Sequence, residues 1–186
     1  SSNFCMGNGS MSSILKVDEI QNTGGTTGLT INSNGFVAPK VPVLSVSLTS
    51  NTTAYSSNNY HLVDWSTYGQ VDFDNTSAWD SANEKWTPQI AGYYNVNCTL
   101  TAGTGTIRAA GPLLYKNGSI YQQGVFWLQS ENDGDDINTS FSTLIYLNGS
   151  TDYIQMYGYI YDSSAGNDIF ISGQRKTSMT AHFVST

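Results

Sequence analysis

Residues 93–100 read Tyr-Tyr-Asn-Val-Asn-Cys-Thr-Leu, and this stretch decides the fold class. Apolar side chains occupy every second position, from Tyr94 through Val96 and Cys98 to Leu100. Successive side chains of a strand point to opposite faces, so the pattern predicts a half-buried antiparallel strand. A helix does not fit, because its apolar face would repeat every three or four residues.

The same spacing recurs along the rest of the chain. Leu44, Val46 and Leu48 share one face of an expected strand, and the last strand should span residues 177–184. We expect about eight to ten such strands and no helix of note, which fits a two-sheet sandwich. The predicted fold is therefore all-β, a jelly roll of antiparallel strands over residues 43–184.

Two Asn-Gly pairs, Asn117-Gly118 and Asn148-Gly149, follow apolar runs and predict tight turns. Asn and Gly tolerate the positive φ that both central residues of a type I′ turn need. We therefore expect each pair to close a hairpin. The expected hairpins join residues 112–116 to 120–126 and residues 141–147 to 152–161.

Composition excludes several classes of function. Charged residues make up 11% of the chain, and seven Lys and Arg against fourteen Asp and Glu give a net charge of −7. A nucleic-acid-binding protein would show a basic stripe, so we expect no nucleic-acid partner. The sequence contains no run of about 20 apolar residues, so we expect no membrane insertion.

Residues 1–40 are polar and rich in glycine, as in Asn-Thr-Gly-Gly-Thr-Thr-Gly at 22–28. Such a segment buries too little apolar surface to fold alone, and Pro39 and Pro42 mark its boundary with the domain at 43–186. We expect it to attach the domain to other proteins. The apolar residues of this attachment segment are Leu15, Val17, Ile20, Leu29 and Ile31.

Residues 153–161 carry the most specific signal for assembly, because both faces of the expected strand are largely apolar. Ile154, Met156, Gly158 and Ile160 would face the core, and the opposite face would normally be polar. Tyrosine is a preferred interface residue, so we expect a homotrimer whose axis is lined by this second face. The open alternatives are a loop of the same chain that covers it, or tyrosines that are simply exposed to solvent. The residues of this tyrosine stripe are Tyr153, Gln155, Tyr157, Tyr159 and Tyr161.

The sequence contains no catalytic motif, and we expect no enzyme activity. Its two histidines are His61 and His182, and we interpret His182 as a structural or interface residue. Nucleophile-elbow and phosphate-loop motifs are absent from the sequence. A glycosidase needs two carboxylates about 5–10 Å apart across a cleft. Asp72, Asp74 and Asp80 are the candidates, but nothing in the sequence places them across one.

An acidic run at 131–136, Glu-Asn-Asp-Gly-Asp-Asp, is a candidate metal site. Several oxygen ligands in a glycine-containing loop could hold Ca²⁺. The run lacks the calcium-hand spacing, and charge runs are usually solvated, which favours an exposed loop without metal. No other cofactor is expected. The calcium candidates are Glu131, Asp133, Asp135 and Asp136.

Three tryptophans, Trp65, Trp79 and Trp127, are candidates for receptor contact, because an indole offers a flat apolar face to a sugar ring. The alternative for each is a place in the core. The two cysteines are expected to be free thiols, with Cys98 a small core residue and Cys5 in the polar leader.

Residues 86–94, Trp-Thr-Pro-Gln-Ile-Ala-Gly-Tyr-Tyr, resemble the opening of a long strand in the complement one-q globular head and tumour-necrosis-factor family, as found in phage structural proteins. Leu-Leu-Tyr-Lys-Asn-Gly at 113–118 resembles a later turn of that family, and residues 140–161 resemble its aromatic strands. The chain departs from the pattern at 178–183. The resemblance covers residues 43–184 and implies a jelly roll that forms trimers.

The start of the chain resembles the amino-terminal segment of fibre-like virion proteins of marine cyanobacterial phages, through Leu-Lys-Val-Asp-Glu-Ile-Gln-Asn at 15–22 and Gly-Leu-Thr-Ile at 28–31. Together the resemblances imply a trimeric fibre head that is assembled in the host cytoplasm and exposed on the virion surface. Residues 1–40 would contact other virion proteins, and the head would bind a host-surface glycan or receptor. The alternative is a head fibre or capsid-decoration protein that stabilises the particle without receptor binding.

Overall fold

A computed structural model describes residues 18–21, 23–25, 27–31, 33–39, 41–103, 107–124, 126–128, 136–162 and 169–186. The chain divides into two compact units, Ser1–Lys40 and Val41–Thr186. Within the described residues, no helix is long and apolar enough to cross a membrane.

The first unit contains an antiparallel three-stranded sheet with its second strand in the middle. Its strands are β1 (Glu19–Gln21), β2 (Thr27–Ile31) and β3 (Val37–Pro39). Ile20, Phe36 and Val37 are 49%, 69% and 56% exposed. The small sheet therefore leaves much of its apolar surface uncovered, as expected for a segment with so few apolar residues.

The second unit contains thirteen strand segments and one four-residue helix within the part of the chain that the structure describes. The helix α1 spans Trp65–Tyr68. The strands are β4 (Val43–Leu48), β5 (Asn59–Leu62), β6 (Gly69–Asp74), β7 (Trp79–Asp80), β8 (Lys85–Trp86), β9 (Ala91–Gly103), β10 (Ile107–Lys116), β11 (Ser119–Gln123), β12 (Trp127–Leu128), β13 (Ile137–Asn148), β14 (Ile154–Asp162), β15 (Ile169–Phe170) and β16 (Ser178–Ser185). Nine of these strands have four or more residues, within the range that the sequence predicts.

The strands of the second unit form two antiparallel sheets. One is a six-stranded sheet with the order β13-β9-β16-β4-β6, in which β15 also pairs with β9. The other is a seven-stranded sheet with the order β11-β10-β14-β8-β7, in which β12 pairs with β10 and β5 pairs with β14. The predicted all-β jelly roll is confirmed.

The core lies between the inner faces of the two sheets. Tyr94, Val96, Cys98 and Leu100 have no exposed surface, which confirms the alternation predicted for this strand. From the other sheet come the buried side chains of Ile154, Met156 and Ile160. Both inner faces therefore follow the period-two pattern of the sequence.

Gly158 fills a position that admits no side chain. A Cβ at this residue would lie 2.3 Å from Cζ of the buried Phe170, which belongs to the opposite sheet. Real contacts are never that short, so the glycine lets the aromatic ring reach across the core.

One of the two predicted hairpins is confirmed and the other is wrong. Asn117 and Gly118 have φ values of 52° and 78° and join the paired strands β10 and β11. At the second Asn-Gly pair, β13 pairs with β9 while β14 pairs with β10, so the turn carries the chain from one sheet to the other. The Asn148 side chain stabilises this crossing by accepting hydrogen bonds from the backbone amides of the next residues, 150–152.

Candidate assembly and binding surfaces

The tyrosine stripe alternates with the core residues of β14 as predicted. Tyr153, Gln155, Tyr157 and Tyr159 are half-buried, and Tyr161 is 38% exposed. The structure gives most of these side chains partners within the same chain, and several of those partners lie on neighbouring strands. Whether the stripe also lies at a trimer axis stays a prediction.

Aromatic rings from neighbouring elements cover the middle of the stripe. The ring centroids of Tyr115 and Tyr157 lie 3.9 Å apart in a stacked pair, and those of Phe126 and Tyr159 lie 4.5 Å apart. Tyr60, on β5, approaches Tyr159 to 5.6 Å. We call this set the tyrosine cluster. Its members are Tyr60, Tyr115, Phe126, Tyr157, Tyr159 and Tyr161.

The tyrosine cluster lies on the outer face of the seven-stranded sheet. Leu113 pairs with Tyr157 across the strands and therefore shares this face, yet it is fully buried. The Tyr159 hydroxyl donates a 2.8 Å hydrogen bond to Oδ1 of Asn58. Burial raises the pKa of Tyr159, and the nearby hydroxyls of Tyr60 and Tyr161 raise it further.

The other end of the stripe is held by polar contacts. The ammonium group of Lys85 lies 5.0 Å from the ring centroid of Tyr153 and 3.6 Å from a carboxylate oxygen of Asp80. The Gln155 amide donates to the backbone carbonyl of Asn83 at 2.8 Å. These contacts fix the turn between β7 and β8 against β14.

The six-stranded sheet has an exposed apolar patch on its outer face. Tyr93 is 43% exposed, Leu144 is 52% exposed and Tyr146 is 45% exposed. The two tyrosine rings meet edge to face at 5.4 Å, and Leu144 lies two residues from Tyr146 on the same face of β13. We call these three residues the Tyr93 patch.

The strands around the Tyr93 patch carry no formal charge. The sequences of β4, β9, β13 and β16 contain no Asp, Glu, Lys or Arg. Their outward side chains bond to one another instead: Ser142 Oγ donates to Asn95 Oδ1 at 2.9 Å, and the Asn97 amide donates to Thr180 Oγ1 at 3.2 Å. A water-facing sheet normally carries charges, so this face has the composition of an interface centre.

His182 belongs to the same outer face, where it is exposed and pairs with Asn95 and Val43 of the adjoining strands. The other histidine, His61, stacks on Tyr55 at 4.5 Å, and its Nε2 lies 2.7 Å from the carbonyl oxygen of Ser56. The His61 side chain therefore has partners within the chain, whereas His182 presents its side chain on the outer face.

Charged groups appear at the edge of the six-stranded sheet. Arg175 forms a 2.9 Å ion pair with Asp72, which also accepts a 2.8 Å hydrogen bond from Ser47. Burial acts to raise the pKa of Asp72, but hydrogen bonds from Gln70 and Ser47 and the charge of Arg175 outweigh it and lower that pKa.

The three aspartates considered for glycoside hydrolysis are engaged in separate local structures. Asp72 contacts Arg175, Asp74 accepts a hydrogen bond from the backbone amide of Trp79, and Asp80 accepts one from the side chain of Asn83. No residue forms a described hydrogen bond with more than one of these three aspartates. A general acid needs a raised pKa, whereas hydrogen bonds lower the pKa values of Asp72 and Asp80.

The candidate tryptophans occupy different environments. Trp65 is 2% exposed and belongs to the core, so it offers no face to a ligand, and its proposed receptor contact is wrong. Trp79 is half-buried and packs against the core. The side chain of Trp127 lies outside the described residues. Receptor contact by Trp79 or Trp127 stays a prediction.

A buried carboxyl group that the sequence did not reveal lies beside α1. Glu84 is 6% exposed, and its Oε1 accepts a 2.9 Å hydrogen bond from the backbone amide of Ser66. Asp64 caps the same turn by accepting a 2.8 Å hydrogen bond from the amide of Thr67. Burial raises the pKa of Glu84, and the charge of Asp64 adds to this effect. No periodic pattern marks Glu84, since its burial depends on a turn with positive φ.

The calcium candidates Glu131, Asp133 and Asp135 lie outside the described residues, as do Leu15, Val17 and Cys5. Asp136 is exposed and forms a 3.2 Å ion pair with Lys176. Within the described ranges, no group of three metal-binding side chains is present. Calcium binding therefore stays a prediction. Cys98 is a free thiol whose pKa is raised by complete burial, which makes it unreactive.

Comparison with known proteins identifies the fold. The sequence matches no family model and no curated protein. Among solved structures, murine APRIL at pH 5.0 is similar with a TM-score of 0.55 and 11% identity, covering 78% of this chain and 100% of that one. Eiger TNF from S. frugiperda is similar with a TM-score of 0.57 and 8% identity, and the match covers 78% of this chain and 93% of that one. The globular domain of the zebrafish complement 1qA protein is similar with a TM-score of 0.53 and 11% identity, and the match covers 78% of this chain and 98% of that one. The chain therefore has the fold of the tumour-necrosis-factor and complement one-q domains.

Proposed function

We propose that this chain is a non-enzymatic, homotrimeric adhesive head on the surface of a virus particle, and specifically a phage fibre head that binds a host-surface glycan. The observation that carries this proposal is the outer face of the six-stranded sheet. It combines the exposed Tyr93 patch with four strands that contain no Asp, Glu, Lys or Arg. The tumour-necrosis-factor-like fold and the resemblance of residues 15–31 to virion fibre proteins support it.

The Tyr93 patch and the tyrosine stripe differ in how much aromatic surface remains exposed for a second copy of the chain to bury. An aromatic side chain buries about 150–250 Å² when fully covered. At 43% and 45% exposure, Tyr93 and Tyr146 each keep about 65–110 Å² for a partner. Tyr157 and Tyr159 are already stacked within the chain. We therefore place the trimer axis at the Tyr93 patch instead of the tyrosine stripe.

A closed trimer explains how such a face avoids aggregation. A stable interface buries about 800 Å² on each partner, which is more than the Tyr93 patch alone provides. The surrounding uncharged strands supply the remainder, with side chains such as Asn97 and Thr180 bonded to each other. Three-fold closure buries this surface in every copy, so no further copy can bind to it and the assembly ends as a trimer.

Residues 1–40 would attach the head to other virion proteins. In the three-stranded sheet, β1 and β3 are the edge strands among the described residues, and another chain can pair with a sheet at its edges. The exposed Ile20 and Val37 provide apolar contacts beside those edges. This role also fits the alternative function, a head fibre or capsid decoration that does not bind a receptor.

Labelling of intact particles tests the proposal. Antibody fragments raised against residues 41–186 should decorate the outside of the particle in electron micrographs and should block adsorption to host cells. Decoration of the capsid without any effect on adsorption would favour the capsid-decoration alternative. Absence of decoration from the particle would contradict the virion role.

A further inference from the structure

We infer that the tyrosine cluster is a binding surface for a neutral carbohydrate, displayed outward on each copy of the head. This inference rests on the proposed adhesive function and assigns it a site and a ligand class. Tyr60 and Tyr161 are 41% and 38% exposed. They flank Tyr159, whose ring is fixed between Tyr60 and Phe126.

The cluster presents both of the features that a sugar needs. Pyranose rings have flat patches of C–H groups edged by hydroxyls, and a tyrosine offers an apolar ring with a hydroxyl that can donate and accept. Tyr159 is held by its hydrogen bond to Asn58, and Tyr157 is held by stacking on Tyr115. The exposed rings of Tyr60 and Tyr161 therefore stand on a rigid base, which lowers the entropy lost on binding.

The charge of the surface selects a neutral ligand. The six side chains of the cluster are tyrosines and one phenylalanine, which carry no charge at neutral pH. The chain as a whole has a net charge of −7, which repels anionic polysaccharides. An uncharged, hydroxyl-rich surface therefore complements a neutral glycan.

The location of the cluster fits display to a host surface. It lies on the seven-stranded sheet, whereas the Tyr93 patch lies on the six-stranded sheet. A trimer closed on the Tyr93 patch would leave three tyrosine clusters facing outward. Three weak sites on one particle-bound head raise the effective affinity through multivalency.

Binding of the full-length chain to immobilised hexasaccharides tests this inference. The panel contains neutral hexamers of glucose, galactose and N-acetylglucosamine and an anionic hexamer of uronic acid. We expect binding to at least one neutral hexamer. Tyr60→Ser and Tyr161→Ser should each weaken it about tenfold, the factor that corresponds to about 1.4 kcal/mol. The matched control is Tyr121→Ser on β11, which removes a tyrosine outside the cluster that is 44% exposed and whose hydroxyl donates to the backbone carbonyl of Leu144. Compared at equal oligomeric mass, it should bind like the wild type.

The outcomes separate this inference from the proposed trimer. Binding to no neutral hexamer, binding to the uronic acid hexamer alone, or equal losses with Tyr121→Ser would overturn the carbohydrate site. The mass of each variant is measured in the same samples. A trimer that persists while glycan binding is absent leaves the assembly claim standing. Dissociation caused by Tyr60→Ser or Tyr161→Ser would instead place a second copy on the tyrosine cluster.

Discussion

Replacing Leu144 with alanine should weaken the trimer without unfolding the chain. Leu144 is 52% exposed in the isolated chain, so about half of its side chain remains to be buried by assembly. Full burial of a leucine is worth about 1.5–3 kcal/mol, so the exposed half contributes about 1 kcal/mol per chain and about 2–3 kcal/mol per trimer. The dissociation constant of the trimer should therefore rise about 30- to 140-fold.

Mass photometry over a dilution series measures this shift, and Ile120→Ala is the matched control. Ile120 is 47% exposed and pairs with Tyr115, on the outer face of the other sheet. Both side chains are about half-buried within the chain, so both substitutions should lower the free energy of unfolding by a similar amount, about 1 kcal/mol, and leave the chain folded. An unchanged dilution midpoint for Leu144→Ala, or an equal shift for Ile120→Ala, would refute the placement of the axis.

Three further predictions concern the fold and the attachment segment. Glu84→Gln should raise the melting temperature at neutral pH. Burial raises the pKa of Glu84 in the folded state, so the wild type loses stability as the pH rises through that pKa. Below about pH 4 the carboxyl is protonated in both the folded and the unfolded chain, so the gain in melting temperature should disappear there. A constant gain at all pH values would contradict this. Gly158→Ala should cost about 1–3 kcal/mol in urea unfolding, since its Cβ would overlap Phe170, and an unchanged midpoint would count against that core packing. A chain truncated to begin at Val41 should keep its β-type circular dichroism but fail to join the particle, and normal incorporation would rule out the attachment role of residues 1–40.

Periodicity in the sequence predicts individual strands well because it reflects which face each side chain takes. Tyr94, Val96, Cys98 and Leu100 are all fully buried, as their spacing predicts. The pairing of strands is harder to predict, because it depends on distant parts of the chain. The Asn148-Gly149 pair signals a turn, but whether a turn closes a hairpin or crosses between sheets depends on where both strands find partners.

The tyrosine cluster was predictable in part, because alternation along a strand also determines which side chains point outward. The outward direction of Tyr157 and Tyr159 follows from alternation, whereas their coverage comes from Tyr115, Tyr60 and Phe126, which are far away in sequence. The Tyr93 patch carried a readable signal, since the absence of charge from four strands is visible in the sequence once their bounds are known. The core position of Trp65 had no such signal, because a single tryptophan fits either environment.

The molecular mass of the wild-type chain in solution tests the central claim most directly. Sedimentation equilibrium at micromolar concentration should give three times the chain mass of 20.2 kDa. The same measurement on a double variant, Tyr93→Asp with Leu144→Asp, should give a folded monomer, because charges in an uncharged interface lose their hydration without gaining partners. A wild-type monomer or dimer, or a double variant that remains trimeric, would contradict a trimer built on the outer face of the six-stranded sheet.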